Sequence, residues 1–191
     1  LKNGFTPVGF FKESVDFDKG YEDPVHSIRR QSEGIYAMLH FLAYEKENGR
    51  RHPEWEQKMK NMLDILLRLQ QADGSFPRKF RDDFTIVDTS GGSTPSATLP
   101  LVMGYKYFKD KRYLASAKQT ADYLEKVLIS KADYFSSTLD ANCEDKEASL
   151  YAATATYYLS LITKGDEHRH YADLTKKAAY FALSWYYVWD V

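Results

Sequence analysis

The residues of this sequence best placed to do chemistry are carboxylates in a polar segment that leads directly into an alanine-rich stretch. Asp140, Glu144, Asp145 and Glu147 fall within eight residues, beside Asn142. A protonated carboxyl group and an ionised one on either side of a glycosidic bond are the usual requirement for its hydrolysis. The residues that follow predict a helix, whose first turn would add unpaired backbone N–H groups and a partial positive charge. We therefore take this junction as the candidate site.

Helix capping accounts for part of this acidic cluster. Asn142 is the predicted N-cap, and Asp145, three residues later, resembles the acidic half of a capping box. Asp140 precedes the helix and Glu147 lies one turn inside it, so the site hypothesis rests on Asp140 and Glu144, with Glu147 behind them. Because a helix N-terminus lowers the pKa of a nearby carboxyl group, we expect Glu144 to be ionised and Asp140 to be the proton donor.

A second long polar segment, residues 72–93, supplies further candidates. It contains ADGSFPRKFRDD and DTSGGS, and loops of this length are commonly functional. Asp88 in this segment is the alternative partner for the first pair of acids. Aromatic rings from both segments could stack on sugar rings, and the basic residues could meet a uronate or sulfate group or could form only a solvated loop. These predicted substrate-binding residues are Tyr134, Phe135, Asn142, Phe76, Arg78, Lys79 and Arg81.

Hydrophobic periodicity predicts six helices arranged as three antiparallel hairpins, after an irregular N-terminal arm over residues 1–22. The helical domain spans 23–191, and its first helix is expected to begin at Asp23-Pro24. Connections within each hairpin are short and those between hairpins are long, so the long loops share one face. The predicted fold is all-α, with no sheet of more than two short strands and with the first, third and fifth helices inside. The predicted helices cover 25–47, 53–71, 94–108, 111–129, 143–163 and 167–189.

Composition narrows the classes of function. The chain has 191 residues, 43% of them hydrophobic, and a formal net charge of −1 with both signs interspersed. These values predict one globular domain, or a piece of a larger one, without a nucleic-acid-binding surface. The sequence contains no apolar run long enough for a membrane span and no metal-ligand spacing, so we expect no membrane partner, no metal and no cofactor. Localisation is not predicted by the ends of the sequence, and a glycan-degrading role would imply a periplasmic or secreted protein.

Two features of the helical pattern stand out: LQQADGSFP at the end of an outer helix (69–77), and a small-residue inner helix after a long polar loop. With these features the pattern resembles the α/α toroid of six-hairpin glycosidases and related polysaccharide lyases. The resemblance covers the chain from about residue 24 onward. It implies carbohydrate chemistry in a cleft at the long-loop end, with Asp or Glu as acid and base, and an oligosaccharide or polysaccharide as the partner. A closed toroid of this type uses about six hairpins, so three hairpins predict half of a toroid, or an open arc, and hence a partial chain.

Four functions remain open at this stage. Hydrolysis of a glycosidic bond would use the carboxylates described above, whereas a lyase would use Tyr134 as base and Asn142 or Arg78 to neutralise a substrate carboxylate. A helical-repeat module would bind a glycan or protein on the same face without chemistry. An isoprenoid-handling toroid is the last option, and its aspartate-rich metal motif is absent, because Asp82-Asp83 is followed by Phe84 without a further acid at the required spacing.

Overall fold

The computed structural model describes residues 4–90, 94–134 and 143–187. Within these residues the fold is dominated by helices paired as three antiparallel hairpins, as the sequence predicts. A π-helical segment, Leu124–Ile129, extends the fourth helix. The helices are α1 (Ile28–Glu47), α2 (Pro53–Leu69), α3 (Thr94–Phe108), α4 (Lys111–Tyr123), α5 (Lys146–Ile162) and α6 (Gly165–Tyr187).

The first helix begins later than Asp23-Pro24, and that predicted start is wrong. Residues Val25–Ser27 form an extended strand instead, and Ser27 caps α1 by accepting a hydrogen bond from the Arg30 backbone N–H at 3.5 Å. This strand pairs with a segment far along the chain, and the pairing overrides the local proline signal. The sequence pattern of residues 23–27 could not reveal that pairing. Gly49, at φ 76°, lies just after the C-cap of α1 in the left-handed conformation that glycine adopts without steric cost.

Helices α1, α3 and α5 form the inner layer. α3 packs between α1 and α5 and also against its own hairpin partner α4. Every residue of α3 from Thr94 to Gly104 is buried, which requires small side chains where helices approach closely. A Cβ atom on Gly104 would lie 2.6 Å from Leu63 Cδ1, so a larger residue at this point between the inner and outer layers would force the Leu63 side chain to move.

A three-stranded antiparallel sheet attaches the long loop between α2 and α3 to the start of α1. Strand β3 (Val25–Ser27) pairs with β4 (Lys79–Arg81), which pairs with β5 (Ile86–Asp88). The expectation of no sheet with more than two strands is therefore wrong. The β4–β5 turn is closed by Phe84, whose φ of 69° is in the left-handed region, and no glycine or asparagine signals this turn in the sequence.

The N-terminal residues that the structure describes cover one side of this sheet. A two-stranded pair, β1 (Val15–Asp16) with β2 (Tyr21–Glu22), precedes β3. Phe10 is buried and its ring lies 5.1 Å from Phe80 and 4.8 Å from His26, measured between ring centroids. Among the described helices, none combines the length and the hydropathy that a membrane crossing needs.

Candidate functional site

The N-terminal ends of the three inner helices lie at the same face as the long connections. The Ile28 backbone N–H donates to the Arg78 carbonyl oxygen at 3.1 Å, and the Phe76 N–H donates to Thr94 Oγ1 at 2.9 Å. The segment between α2 and α3 thereby contacts the starts of both α1 and α3. At α5, the Asp145 N–H donates to the Tyr134 carbonyl oxygen at 2.8 Å. The candidate face is therefore built from loops that are hydrogen-bonded to the helix ends.

Asp88, at the end of β5, is held by a tight turn. Its Oδ1 accepts from the Ser90 backbone N–H at 2.8 Å and from Ser90 Oγ at 2.6 Å. Burial alone would raise the pKa of Asp88, but the hydrogen bonds from Ser90 and the charges of Arg78 and Lys79 outweigh it and lower that pKa below its ordinary value. Asp88 is therefore an ionised carboxylate near neutral pH.

Arg78 supports this turn from the buried side. The residue is only 5% exposed, and its Nη1 donates to Ser90 Oγ at 3.1 Å. Its Nε and Nη2 atoms are buried and make no hydrogen bond. Lys79 is half-buried in β4, whereas Arg81 is exposed at the end of that strand. Of the three basic residues predicted to meet an anionic substrate, Arg81 and Lys79 are accessible, and Arg78 instead lies beneath Asp88.

Glu144 lies outside the helix, and the predicted start of α5 is wrong by about three residues. The N-cap is Asp145, whose Oδ1 accepts from the Glu147 N–H at 2.7 Å, so the capping role assigned to Asn142 belongs to Asp145. Glu144 Oε2 accepts from the Tyr134 N–H at 2.8 Å. Glu144 is exposed overall, but partial burial of its carboxyl group raises its pKa. The hydrogen bond from Tyr134 opposes this shift, and the neighbouring Asp133 carboxyl group raises the pKa further. The expectation of a lowered pKa at Glu144 is wrong.

The other sequence candidates divide into two groups. Asp140, Phe135 and Asn142 lie outside the residues that the structure describes. Phe76 and Tyr134 are both about 1% exposed, and the Tyr134 ring packs on Phe181 with ring centroids 4.4 Å apart. Both rings are core residues, so their packing does not support the stacking role predicted for them.

A cluster that the sequence reasoning missed joins the first turns of α1 and α5. Arg29 Nε donates to Glu33 Oε1 at 3.0 Å, and Arg29 Nη1 lies 3.0 Å from Glu147 Oε2. The Tyr151 hydroxyl donates to Glu33 Oε1, and burial together with that carboxylate raises the pKa of Tyr151 to about 12. Each helix contributes a pair four residues apart, which places both members on one face. That spacing was the only signal in the sequence.

Further along the same helices, a second contact joins α1 to α5 directly. The hydroxyl groups of Tyr36 and Tyr158 are 2.7 Å apart, and burial and this hydrogen bond raise the pKa of Tyr36 to about 12. The α1–α5 cluster and this tyrosine pair fix the inner helices relative to each other.

Comparison with known proteins identifies the fold. A scan against profiles of known protein families finds no match. Solved structures align over most of the chain. They include cellobiose 2-epimerase from Spirochaeta thermophila (TM-score 0.75, 16% identity, 95% of this chain and 49% of that one). They also include a D-mannose isomerase (TM-score 0.72, 16% identity, 96% of this chain and 52% of that one). A third is the unsaturated glucuronyl hydrolase of Bacillus sp. GL1 (TM-score 0.68, 13% identity, 94% of this chain and 52% of that one).

These structures are carbohydrate-processing enzymes of three different reaction types. The present chain spans about half the length of each of them. At these identities the likeness concerns the fold alone. The predicted architecture is confirmed at the level of the fold: the chain shares the α/α-toroid arrangement of helical hairpins with these structures, in the form of three hairpins.

Proposed function

We propose that this protein is a carbohydrate-active enzyme that hydrolyses a glycosidic bond in an acidic oligosaccharide or polysaccharide. The observation that carries the proposal is the presence of two carboxyl groups with opposite pKa shifts at the face where the inner helices begin. The pKa of Asp88 is lowered and that of Glu144 is raised. Carboxyl groups whose environments push their pKa values apart are suited to divide the roles of acid and base.

In this proposal Glu144 is the proton donor to the leaving oxygen, because its raised pKa keeps it protonated at a higher pH than an ordinary glutamate. Asp88 is the ionised carboxylate that activates water or attacks the sugar. Asp140 stays a third candidate, because it lies in the same polar segment of the sequence as Glu144. Relative to the sequence-based expectation, Glu144 changes from the ionised partner to the proton donor, and Asp88 takes the ionised role.

An acidic substrate is supported by the basic residues near Asp88 and by one of the fold neighbours. Lys79 is half-buried opposite Asp88 in the β4–β5 pair, and Arg81 is exposed at the other end of β4, next to the turn. The Bacillus enzyme is described as a glucuronyl hydrolase responsible for glycosaminoglycan degradation, so it acts on a uronate. Positive side chains beside an ionised carboxylate would bind a uronate carboxyl group and keep the Asp88 charge from repelling it.

The alternatives receive less support. A lyase would need Tyr134 as its base, but Tyr134 is buried, and burial and the nearby Glu144 raise its pKa to about 12. A binding module without chemistry would need its acids only as helix caps. Asp145 has that role, whereas Glu144 and Asp88 accept hydrogen bonds from loop residues.

The experiment measures release of reducing ends from acidic and neutral oligosaccharides by the protein and by two isosteric variants, Asp88→Asn and Glu144→Gln. Each variant should lower kcat by about 10²- to 10⁴-fold, the usual effect of losing an acid or base. The melting temperature should change little, because each amide keeps the shape of the acid. If both variants retain the rate of the unaltered protein, neither residue is catalytic and the proposal fails.

A further inference from the structure

We propose that Lys146 and Tyr186 form a binding subsite for the uronate residue of an acidic glycan, adjacent to Glu144. This inference rests on the proposed function for its ligand class and concerns residues to which no role has been given above. The two side chains come from different helices, the first turn of α5 and the last turns of α6. Lys146 Nζ lies over the Tyr186 ring, 5.1 Å from its centroid.

The antiparallel packing of the third hairpin brings these residues to the candidate face. Because α6 runs antiparallel to α5, the C-terminal turns of α6 lie beside the start of α5. The Tyr134 ring contacts Phe181 of α6, and the Tyr134 backbone N–H donates to Glu144 Oε2. Tyr186 follows Phe181 by five residues, a rise of about 7–8 Å along the helix. The ammonium group and the ring therefore lie next to the segment that carries the proposed proton donor.

The exposure of the ring is what a sugar-binding aromatic residue requires. Tyr186 is 62% exposed, in contrast to Phe76 and Tyr134, which were expected to stack on sugars and are buried. An aromatic ring offers an apolar face to the C–H groups of a pyranose and a polar edge to water. A large exposed ring at a helix end beside the candidate site can therefore supply the stacking surface that the predicted residues cannot.

The ammonium group gives the subsite its charge preference. Within the part of the chain that the structure describes, Lys146 makes no ion pair, although Glu144 and Asp145 precede it directly. Its cation–π contact holds the ammonium group over one face of the ring, so a sugar would stack on the opposite face and present its carboxylate at the ring edge, within reach of the lysine side chain. A charge-assisted hydrogen bond from Lys146 to that carboxylate would favour a uronate over a neutral hexose.

The test measures binding by isothermal titration calorimetry with two thio-linked disaccharides that resist hydrolysis, one ending in glucuronate and the other in glucose. Lys146→Met should weaken binding of the glucuronate ligand about tenfold and leave binding of the glucose ligand unchanged. Tyr186→Ala should weaken both ligands about five- to tenfold, whereas Tyr186→Phe should bind both as the unaltered protein does. Matched controls are Tyr180→Ala, which removes another exposed tyrosine of α6, and Lys176→Met, and both should bind normally.

Three results would overturn the subsite. They are the absence of glucuronate binding by the unaltered protein, equal loss of both ligands in Lys146→Met, and normal binding by both Lys146→Met and Tyr186→Ala. Failure of the proposed hydrolysis is recognised separately, since it appears as unchanged turnover in Asp88→Asn and Glu144→Gln. A protein that binds glucuronate through Lys146 without those turnover defects would keep the subsite and lose the hydrolytic assignment.

Discussion

The cluster that joins α1 to α5 predicts a measurable loss of stability when its central cation is removed. In Arg29→Met, the aliphatic part of the side chain is kept while the guanidinium group is lost. Glu33 and Glu147 then keep their charges without the cation between them. Arg29 is the group that holds both carboxylates, with contacts of 3.0 Å to each. We expect Arg29→Met to destabilise the fold through this lost pairing.

The magnitude follows from the exposure of the three side chains. Arg29 is 26% exposed in its side chain, and Glu33 and Glu147 are 42% and 44% exposed. Hydrogen bonds to charged groups contribute about 1.5–3 kcal/mol when buried, and fully exposed ion pairs contribute about 0–1 kcal/mol. Partly exposed contacts lie between these limits, so about 1 kcal/mol for each of the two gives a loss of about 2 kcal/mol. For a domain of this size that corresponds to a fall of about 4–8 °C in Tm.

Urea unfolding followed by circular dichroism measures this change, and Arg169→Met is the matched control. Arg169 pairs with Asp166 at the surface, where both side chains are highly exposed, so its loss should cost less than about 0.5 kcal/mol. A double-mutant cycle with Glu147→Gln should give a coupling energy of about 1 kcal/mol. If Arg29→Met is no more destabilising than Arg169→Met, or the coupling is zero, the cluster does not hold the inner helices together.

Three further predictions concern the candidate face. First, a plot of kcat/KM against pH should be bell-shaped. Its rising limb should lie below the ordinary pKa of aspartate, because the pKa of Asp88 is lowered. Its falling limb should lie above the ordinary pKa of glutamate, because the pKa of Glu144 is raised. A stopped assay across pH 3–8 would measure both limbs, and a falling limb that persists unchanged in Glu144→Gln would contradict the assignment. Second, Ser90→Ala should move the rising limb to higher pH, since Asp88 loses the hydroxyl hydrogen bond that stabilises its charge. Ser90→Thr keeps a hydroxyl group and should keep the limb at its original pH. Identical profiles for all three proteins would refute this prediction. Third, Asp145→Ala should cost about 0.5–2 kcal/mol by removing the cap of α5, as measured by urea unfolding, with Asp166→Ala at the exposed start of α6 for comparison; equal stability of the two variants would show that the cap is dispensable.

The pH dependence of stability has a definite sign at Asp88. Its pKa is lower in the folded protein than in the unfolded chain, so its contribution is present above the unfolded-state pKa. That contribution is lost as the pH falls through the lower, folded-state pKa. Asp88→Asn should therefore flatten the acid side of the stability profile. Glu144 has the opposite shift, so its ionisation above the ordinary glutamate pKa opposes folding.

The helical part of the fold could be predicted because it is encoded locally. Apolar residues at helical spacing defined α2, α3 and α4 to within two residues of the observed ends, apart from the π-helical extension of α4. Small residues interspersed among the larger apolar ones of α3 correctly indicated an inner helix, since they allow neighbouring helices to approach closely. The long-loop face followed from connection lengths alone. These features depend on near neighbours in the chain, which a sequence displays directly.

The three-stranded sheet and the α1–α5 cluster could not be predicted in the same way. β3 pairs with β4 across more than fifty residues, and each strand is only three residues long, too short to show an alternating pattern. Arg29 and Glu147 are more than a hundred residues apart in the sequence and form an ion pair only in the assembled fold. Non-local contacts of this kind depend on the assembled hairpins.

The error at Glu144 shows how a small shift in a helix boundary changes the predicted chemistry. Placed in the first turn, Glu144 would have felt the positive end of α5, and its pKa would have been lowered. With Asp145 as the cap, Asp145 accepts the helix N–H, and Glu144 is turned back toward Tyr134 and Asp133. There, partial desolvation of the carboxyl group and a like charge raise its pKa, although the residue is exposed overall, and we therefore propose as proton donor the residue that was expected to be ionised. Because Asp145 caps α5, Glu144 is not needed as the cap, and the proposed reaction uses it as the proton donor.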